Sequence, residues 1–228
     1  MAIIEKRFTA VSGKENTKEV IEWMFENATE YFDTFESDLT PDDYSAMIFR
    51  KGNAYIKFVI YPTNTTLSTL EVKLANGVSK SLGFYQMLNN NATHFISRAV
   101  KTNSGIVLSF STLSDTSTFK DILVISKANT DNTGILWMID VNQDYYLVSL
   151  ANSIDFSTTY RLSINTRIFT KTITSFCNIP CSGNTTDYFP NIFITPFYEH
   201  TYGEIIDNNG CKYKYFGLPS YQTILLKD

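Results

Sequence analysis

Several residue types on which common folds and active sites depend are scarce in this sequence of 228 residues. It contains two histidines, three cysteines and only ten alanines. So few alanines exclude a helical bundle or coiled coil, which needs sustained heptads of Ala, Leu, Glu and Lys. A small and odd number of cysteines does not support a disulfide framework. No apolar run approaches the ~18 residues of a membrane helix, so we expect no membrane insertion.

Positive charge is scarce as well. The chain has 19 Lys and Arg against 23 Asp and Glu, which gives a formal net charge of -4. No net positive field is available to neutralise phosphates, so we expect no nucleic-acid partner. In the basic stretch 211–215 the lysines alternate with aromatics, and we expect Lys212 and Lys214 to point to solvent. Charges at Glu5 and Lys6 fall where a signal peptide is apolar, so we expect no such signal and synthesis in the cytoplasm.

Threonine, serine and asparagine are abundant instead. There are 27 Thr, 20 Ser and 19 Asn, together with 22 Ile, 17 Phe and 14 Tyr. Branched and aromatic side chains suit a pleated, half-buried surface, and Asn favours turns. The composition therefore predicts a mainly β fold of the α+β kind, built as an antiparallel hairpin-rich sheet or sandwich. We expect much of the Thr and Ser to lie on outward, hydrated strand positions.

The pattern along the chain predicts three parts. Residues 1–44 form an N-terminal helical segment, because apolar residues recur at three- and four-residue steps over residues 17–32. Residues 45–174 form an antiparallel β domain, in which strand-like runs alternate with turn signals. Residues 175–228 form a C-terminal β subdomain or arm with shorter strands.

The turn signals predict a series of hairpins. They lie at residues 51–53, 76–77, 102–104, 129–133 and 207–210. Two of these hairpins share a pattern in which Lys-x-Asn begins the turn and Gly-Ile opens the next strand. The first begins at Lys101 and reaches Gly105, and the second begins at Lys127 and reaches Gly134. Such a repeat is typical of an antiparallel meander.

No catalytic constellation emerges from the residues that carry chemistry. Nucleophilic catalysis needs a base near the nucleophile, and only His94 and His200 are available as histidine bases. No glycine-rich phosphate loop occurs. Carboxylate pairs for glycoside hydrolysis remain open, and the candidates within strand-rich regions are Asp121, Asp140, Asp144 and Asp155. We predict no enzyme activity and no cofactor.

The cysteines leave three interpretations open. Cys177, Cys181, His200 and Cys211 together offer the ligand types of a Cys3His zinc site, although the second pair is not compact. Scattered thiols without a metal explain the same residues and are our prediction. A local disulfide between Cys177 and Cys181 is the third interpretation.

Aromatic residues are unusually dense near the C-terminus. Core filling explains most of them, but exposed aromatics also favour protein interfaces. We predict subunit contacts through Tyr198, Tyr202, Tyr213, Tyr215 and Phe216.

The C-terminal third also resembles a known group of proteins. The stretch Pro-Asn-Ile-Phe-Ile-Thr-Pro-Phe-Tyr at 190–198, the stretch Gly-Glu-Ile-Ile-Asp-Asn-Asn-Gly-Cys-Lys-Tyr at 203–213 and the ending Ile-Leu-Leu-Lys-Asp are similar to the tails of bacteriophage and prophage virion proteins. The resemblance implies a structural component of a tail, baseplate or neck, located in the virion. Its partners would then be copies of itself and other virion proteins.

Two alternatives to this assignment come from other classes. A carbohydrate- or receptor-binding module would use exposed Tyr or Trp faces against a cell-surface glycan. We expect Trp23 and Trp137 to be core residues, which weighs against that module. A polysaccharide hydrolase would use the paired carboxylates named above.

Overall fold

The computed structural model describes the chain over residues 3–8, 13–38, 45–60, 69–73, 79–83, 94–112, 115–127, 129, 133–139, 144–149, 159–160, 177–180, 188–196, 202–208, 210–217 and 222–227. One helix, α1, covers Gly13–Asn27. The strands in chain order are β1 Ile4–Arg7, β2 Thr34–Asp38, β3 Ser45–Lys51, β4 Ala54–Ile60, β5 Thr69–Lys73, β6 Ser79–Gly83, β7 His94–Lys101, β8 Gly105–Thr112, β9 Asp115–Lys127, β10 Thr133–Ile139, β11 Asp144–Ser149, β12 Thr159–Tyr160, β13 Cys177–Pro180, β14 Tyr188–Pro196, β15 Ile205–Asn208, β16 Cys211–Gly217 and β17 Gln222–Lys227. The predicted mainly β fold is confirmed.

The strands form three antiparallel sheets. The meander sheet is five-stranded and keeps the chain order β2-β3-β4-β5-β6. The central sheet is seven-stranded, with the order β1-β7-β8-β9-β10-β11-β12. The C-terminal sheet is five-stranded, with the order β13-β14-β17-β16-β15. Most neighbours are consecutive in sequence, as expected for hairpins.

The helix packs against both of the first two sheets. It contacts β7 of the central sheet and β3 and β4 of the meander sheet. Its apolar side chains, including Trp23, join one core cluster with residues of all three strands. An aromatic group within this core surrounds Phe49, whose ring centroid lies 4.8 Å from Phe32, 5.6 Å from Phe35 and 5.9 Å from Phe58. The prediction that Trp23 is a core residue is confirmed by its 4% exposure.

A lysine from the central sheet completes the C-terminal end of the helix. The last turn of α1 contains no basic residue. Lys101 of β7 donates from Nζ to the carbonyl of Asn27 at 2.7 Å and forms an ion pair with Glu30 at 2.9 Å. A cation stabilises the free carbonyls and the negative end of the helix dipole. The contact therefore fixes the helix on the sheet at a defined position.

Several predicted segments match the structure and two differ. Strands on both sides of all five predicted turns pair with each other in antiparallel fashion. The helix begins four residues earlier than predicted and ends at Asn27, because residues 29–31 form a turn. The first 44 residues also supply β1 and β2, which complete the central and meander sheets. The predicted boundary at residue 44 therefore cuts through both sheets.

Where its side chains are described, the middle of the central sheet (β7, β8 and β9) is buried on both faces, which corrects the expectation of a hydrated outer face there. Ile106 and Leu108 face the helix, and Val107 between them is also fully buried. Serines share this second face: Ser109 and Ser111 are 0% exposed, and the Oγ atoms of Ser97 and Ser111 are 2.8 Å apart. Small hydroxyl side chains bonded to each other and to backbone carbonyls allow close packing without unpaired polar groups.

The glycine of the first Gly-Ile hairpin has a packing explanation. Gly105 of β8 and Gly134 of β10 stand on either side of Ser126 in β9. A Cβ atom at Gly105 would lie 2.7 Å from the carbonyl oxygen of Ile125 and 3.2 Å from Cβ of Ser126. Only glycine fits there without moving β9.

Candidate functional site

The five predicted interface residues lie in different surroundings. Tyr198 is outside the described residues. Tyr213, Tyr215 and Phe216 are buried within the single chain, at 7%, 2% and 0% exposure. Tyr202 is half-buried, and its ring lies 5.3 Å from that of Phe216 in an edge-to-face arrangement. Side chains that are buried within one chain present little surface to a partner. A surface for subunit contacts therefore has to come from residues other than Tyr213, Tyr215 and Phe216.

A β-bulge directs Tyr202 toward the central sheet. Gly203 donates its N–H to the carbonyl of Tyr215, and Tyr215 donates to the carbonyl of Glu204. Gly203 and Glu204 on one strand thus lie opposite the single residue Tyr215 on the other, and Gly203 has a φ of 82°. This is the glycine-type bulge, which bends a strand and re-aims the neighbouring side chain.

Tyr202 contacts the second face of the central sheet. Its hydroxyl forms a short hydrogen bond with Oγ of Ser109. The guanidinium of Arg98 lies 4.7 Å from the ring centroid, within the range of a cation–π contact. Burial raises the pKa of the Tyr202 hydroxyl well above its ordinary value, while the bond to Ser109 and the charge of Arg98 only partly oppose this. The hydroxyl therefore stays protonated.

Glu5 connects two sheets through ion pairs. One carboxylate oxygen lies 3.5 Å from Nε of Arg98 in the central sheet, and the other lies 3.3 Å from Nζ of Lys214 in the C-terminal sheet. Lys214 is 5% exposed, which corrects the expectation that it points to solvent; Lys212 is exposed as expected. Lys214 is buried because the central sheet lies opposite it and the Glu5 carboxylate pairs with its ammonium group. We call Glu5, Arg98, Ser109, Tyr202 and Lys214 the polar junction.

The polar junction predicts unequal effects for its two charge-removing substitutions. Glu5→Gln removes the carboxylate that pairs with Arg98 and with the buried Lys214. We expect a loss of about 2 kcal/mol in unfolding free energy, less than the ~3–5 for a fully buried pair because the Glu5 side chain is 33% exposed. Lys214→Met keeps a long, unbranched side chain and leaves the Glu5–Arg98 ion pair intact. We therefore expect the unfolding free energy to change by no more than about 1 kcal/mol. Urea unfolding of both variants measures this difference, and equal losses would contradict the assignment.

Tyr202 also predicts a loss of stability at alkaline pH. Its pKa in the folded chain is raised above the unfolded value near 10, so the unfolded state loses its proton first as pH rises. Stability is therefore complete below pH 10 and declines above it. Tyr202→Phe removes this contribution, and its unfolding free energy should fall less steeply across that range. An identical slope in wild type and variant would contradict a buried hydroxyl.

The two potential zinc ligands that the structure describes, Cys177 and Cys211, are not brought together. Cys177 lies in β13 and Cys211 in β16, with two strands between them. Three interstrand steps separate these strands by about 14 Å. Ligands of one zinc each lie ~2.3 Å from the metal, so these two thiols cannot share an ion. Cys181 and His200 are outside the described residues, and within the described part of the chain no group of three or more metal-ligating side chains occurs.

The carboxylate candidates are partly brought into one row. The register places Asp121 of β9 and Asp144 of β11 on either side of Ile139 in β10. Their backbones are thus two strand spacings apart, about 10 Å. Asp140 and Asp155 lie outside the described residues, and His94 occupies the first position of β7.

The outer face of the meander sheet carries a polar row that the sequence patterns did not indicate. Arg50 binds Glu36 through two nitrogens, at 2.7 and 3.2 Å, and lies 5.4 Å from the ring centroid of Tyr55. Tyr55 in turn shares a hydrogen bond of 2.7 Å with Glu71. The hydrogen bond from Arg50 lowers the pKa of Glu36. These cross-strand contacts satisfy polar groups across four adjacent strands.

In the described residues, the exposed large apolar side chains lie at sheet edges. Among the described residues, the large hydrophobic side chains that are exposed are Ile4 at 42% and Ile205 at 48%. Ile4 belongs to β1, the outer strand of the central sheet, and Ile205 to β15, the outer strand of the C-terminal sheet. The two edges are linked through one ion pair, since Lys214, which is opposite Ile205 in the C-terminal sheet, binds Glu5 next to Ile4. We call Ile4, Glu5, Arg7 and Ile205 the edge patch.

The fold and the edge patch define a mainly β protein of three antiparallel sheets with exposed outer strands. In the described residues, no helix is long and apolar enough to cross a membrane. The comparison with protein-family models gives no match, and the comparison with curated proteins gives none either.

Proposed function

We propose that this chain is a non-enzymatic structural component of a bacteriophage virion that assembles through protein–protein interfaces. The edge patch is the observation that carries the assembly role. Outer strands present unpaired N–H and C=O groups, and monomeric proteins usually protect such edges from apolar exposure. Here the exposed isoleucines lie on these strands. An apolar group on an open strand edge favours pairing with another chain.

The position in a virion rests on the sequence. The resemblance of residues 190–228 to phage and prophage virion proteins supports a tail, baseplate or neck component. Its partners are then copies of itself and neighbouring virion proteins, with no nucleic acid and no cofactor. Sheets extended by strands from neighbouring subunits suit such an assembly, because backbone hydrogen bonds supply affinity without a deep pocket.

A protein inventory of purified particles tests the proposal. Particles produced by the phage or prophage that encodes the chain are purified and their proteins are quantified by mass spectrometry. We expect the chain in fixed stoichiometry with tail, baseplate or neck proteins. A chain that is absent from particles and strictly monomeric at high concentration would contradict the proposal.

A glycan-binding module is the second candidate. The polar row on the meander sheet favours it, since Tyr55 offers an aromatic ring between charged side chains. The ring already contacts Arg50, and its hydroxyl already bonds Glu71. Binding on a glycan array that is lost in Tyr55→Ala would reverse the order of the two candidates. Polysaccharide cleavage that is lost in Asp121→Asn or Asp144→Asn would instead establish a hydrolase.

A further inference from the structure

The first strand is an edge whose outer side pairs with no other strand in the described part of the chain. β1 pairs with β7 on its inner side. Ile4, Glu5 and Arg7 are exposed, and Lys6 is half-buried with its ammonium 5.2 Å from the ring centroid of Phe8. β1 is therefore an exposed edge strand that carries charges of both signs.

The ladder determines which backbone groups point outward. Phe8 donates its N–H to the carbonyl of Ser97 on β7. Hydrogen-bonded positions alternate along an antiparallel pair, so Lys6 and Ile4 also bond to β7. Glu5 and Arg7 consequently turn their N–H and C=O groups to the outer edge, where another strand can pair with them.

We propose that β1 pairs antiparallel with β1 of a second copy of this chain, centred on Lys6, so that the two central sheets join into one. In this register Glu5 of each copy stands opposite Arg7 of the other. The outward backbone groups of both residues form the new hydrogen bonds, and their side chains carry opposite charges. The inference rests on the proposed function, for which it names one contact between copies.

The charge pattern selects this register over its neighbours. Pairing through outward groups also allows centres at Glu5 or at Arg7. A centre at Glu5 places two carboxylates opposite each other, and a centre at Arg7 places two guanidinium groups opposite each other. Like charges directly opposite are destabilising, whereas opposite charges are favourable. Only the centre at Lys6 pairs opposite charges on both sides.

The contact is expected to be weak and sensitive to salt. Only four residues of each copy belong to β1, far fewer than in a standard interface. The two Lys6 side chains face each other at the centre, although each is directed toward its own Phe8 ring. Screening by salt weakens the exposed Glu5–Arg7 pairs. The high local concentration in a particle compensates for a weak pair.

Charge reversal tests the proposal with the full chain. Arg7→Glu sets carboxylates opposite each other and should weaken self-association by about tenfold or more, measured by sedimentation velocity. Glu5→Lys should do the same, and an equimolar mixture of the two variants should restore pairing. Lys127→Glu, which makes the same charge change at an exposed site on β9, is the matched control and should leave association unchanged.

A second variant at Arg7 distinguishes loss of strand pairing from misfolding. Glu5→Lys adds a third cation beside Arg98 and Lys214, and circular dichroism checks its fold. Arg7→Pro removes an outward N–H and leaves the ladder to β7 intact, so it should also reduce association. Association of Arg7→Glu and Arg7→Pro at wild-type strength would overturn the proposal and leave the proposed function standing. A monomeric wild type would overturn it too, whereas absence from particles would count against the function itself.

Discussion

Phe49→Ala is expected to lower the free energy of unfolding by about 3–5 kcal/mol. Phe49 is 1% exposed and its ring contacts those of Phe32, Phe35 and Phe58. Truncation removes the buried ring and leaves a cavity between the helix and the meander sheet, because Phe35 and Phe58 are held in β2 and β4 by strand pairing. Urea unfolding with an unchanged m-value measures the loss.

Ile48→Ala is the matched control for this prediction. Ile48 is the preceding residue of β3 and faces the opposite side of the sheet, where it is half-buried. We expect a loss of only about 1 kcal/mol there. Equal losses in the two variants would mean that the helix does not cover the inner face of the meander sheet.

Gly105→Ala is expected to cost about 2–3 kcal/mol of unfolding free energy. The added methyl group meets the backbone oxygen of Ile125 at 2.7 Å, and a backbone atom in the central strand of a sheet cannot move aside cheaply. Relief requires a shift of β8 against β9, where the described side chains of both strands are buried. The thermal midpoint and the urea midpoint should both fall.

Gly52→Ala separates this clash from the general effect of replacing a glycine. Gly52 lies in the turn between β3 and β4 with a φ of 57°, and a Cβ atom there would have nothing within 4 Å. Its cost is the left-handed backbone alone, about 1 kcal/mol. A Gly105→Ala variant as stable as Gly52→Ala would contradict the close approach of β8 and β9.

The hairpins and helix α1 were predictable because their signals are local. The Gly52-Asn53 turn and the 207–210 turn each contain a glycine with a positive φ, and the N–H of Gly210 bonds to the side chain of Asp207. The long-range pairs had no such signal. β1 pairs with β7 across about ninety residues of chain, and an isoleucine followed by three charged residues gives no strand pattern.

The burial of polar side chains was the main failure of sequence reasoning. Serines on alternating positions predict a hydrated face, but Ser109 and Ser111 lie under a second layer that the local pattern does not indicate. The alternation around Lys214 predicts a solvent-facing lysine, because the sequence does not show that Glu5, about two hundred residues earlier, lies beside it in the fold. Tyr213, Tyr215 and Phe216 are buried within the chain, and their local pattern does not indicate which surface of the fold covers them.

Sedimentation velocity of the wild-type chain over a wide concentration range tests the central claim most directly. An assembly component with an open, charge-complementary edge should show a reversible increase in mean sedimentation coefficient with concentration, reduced at high salt. A single monomeric species at every concentration and salt, together with absence of the chain from purified particles, would contradict the account.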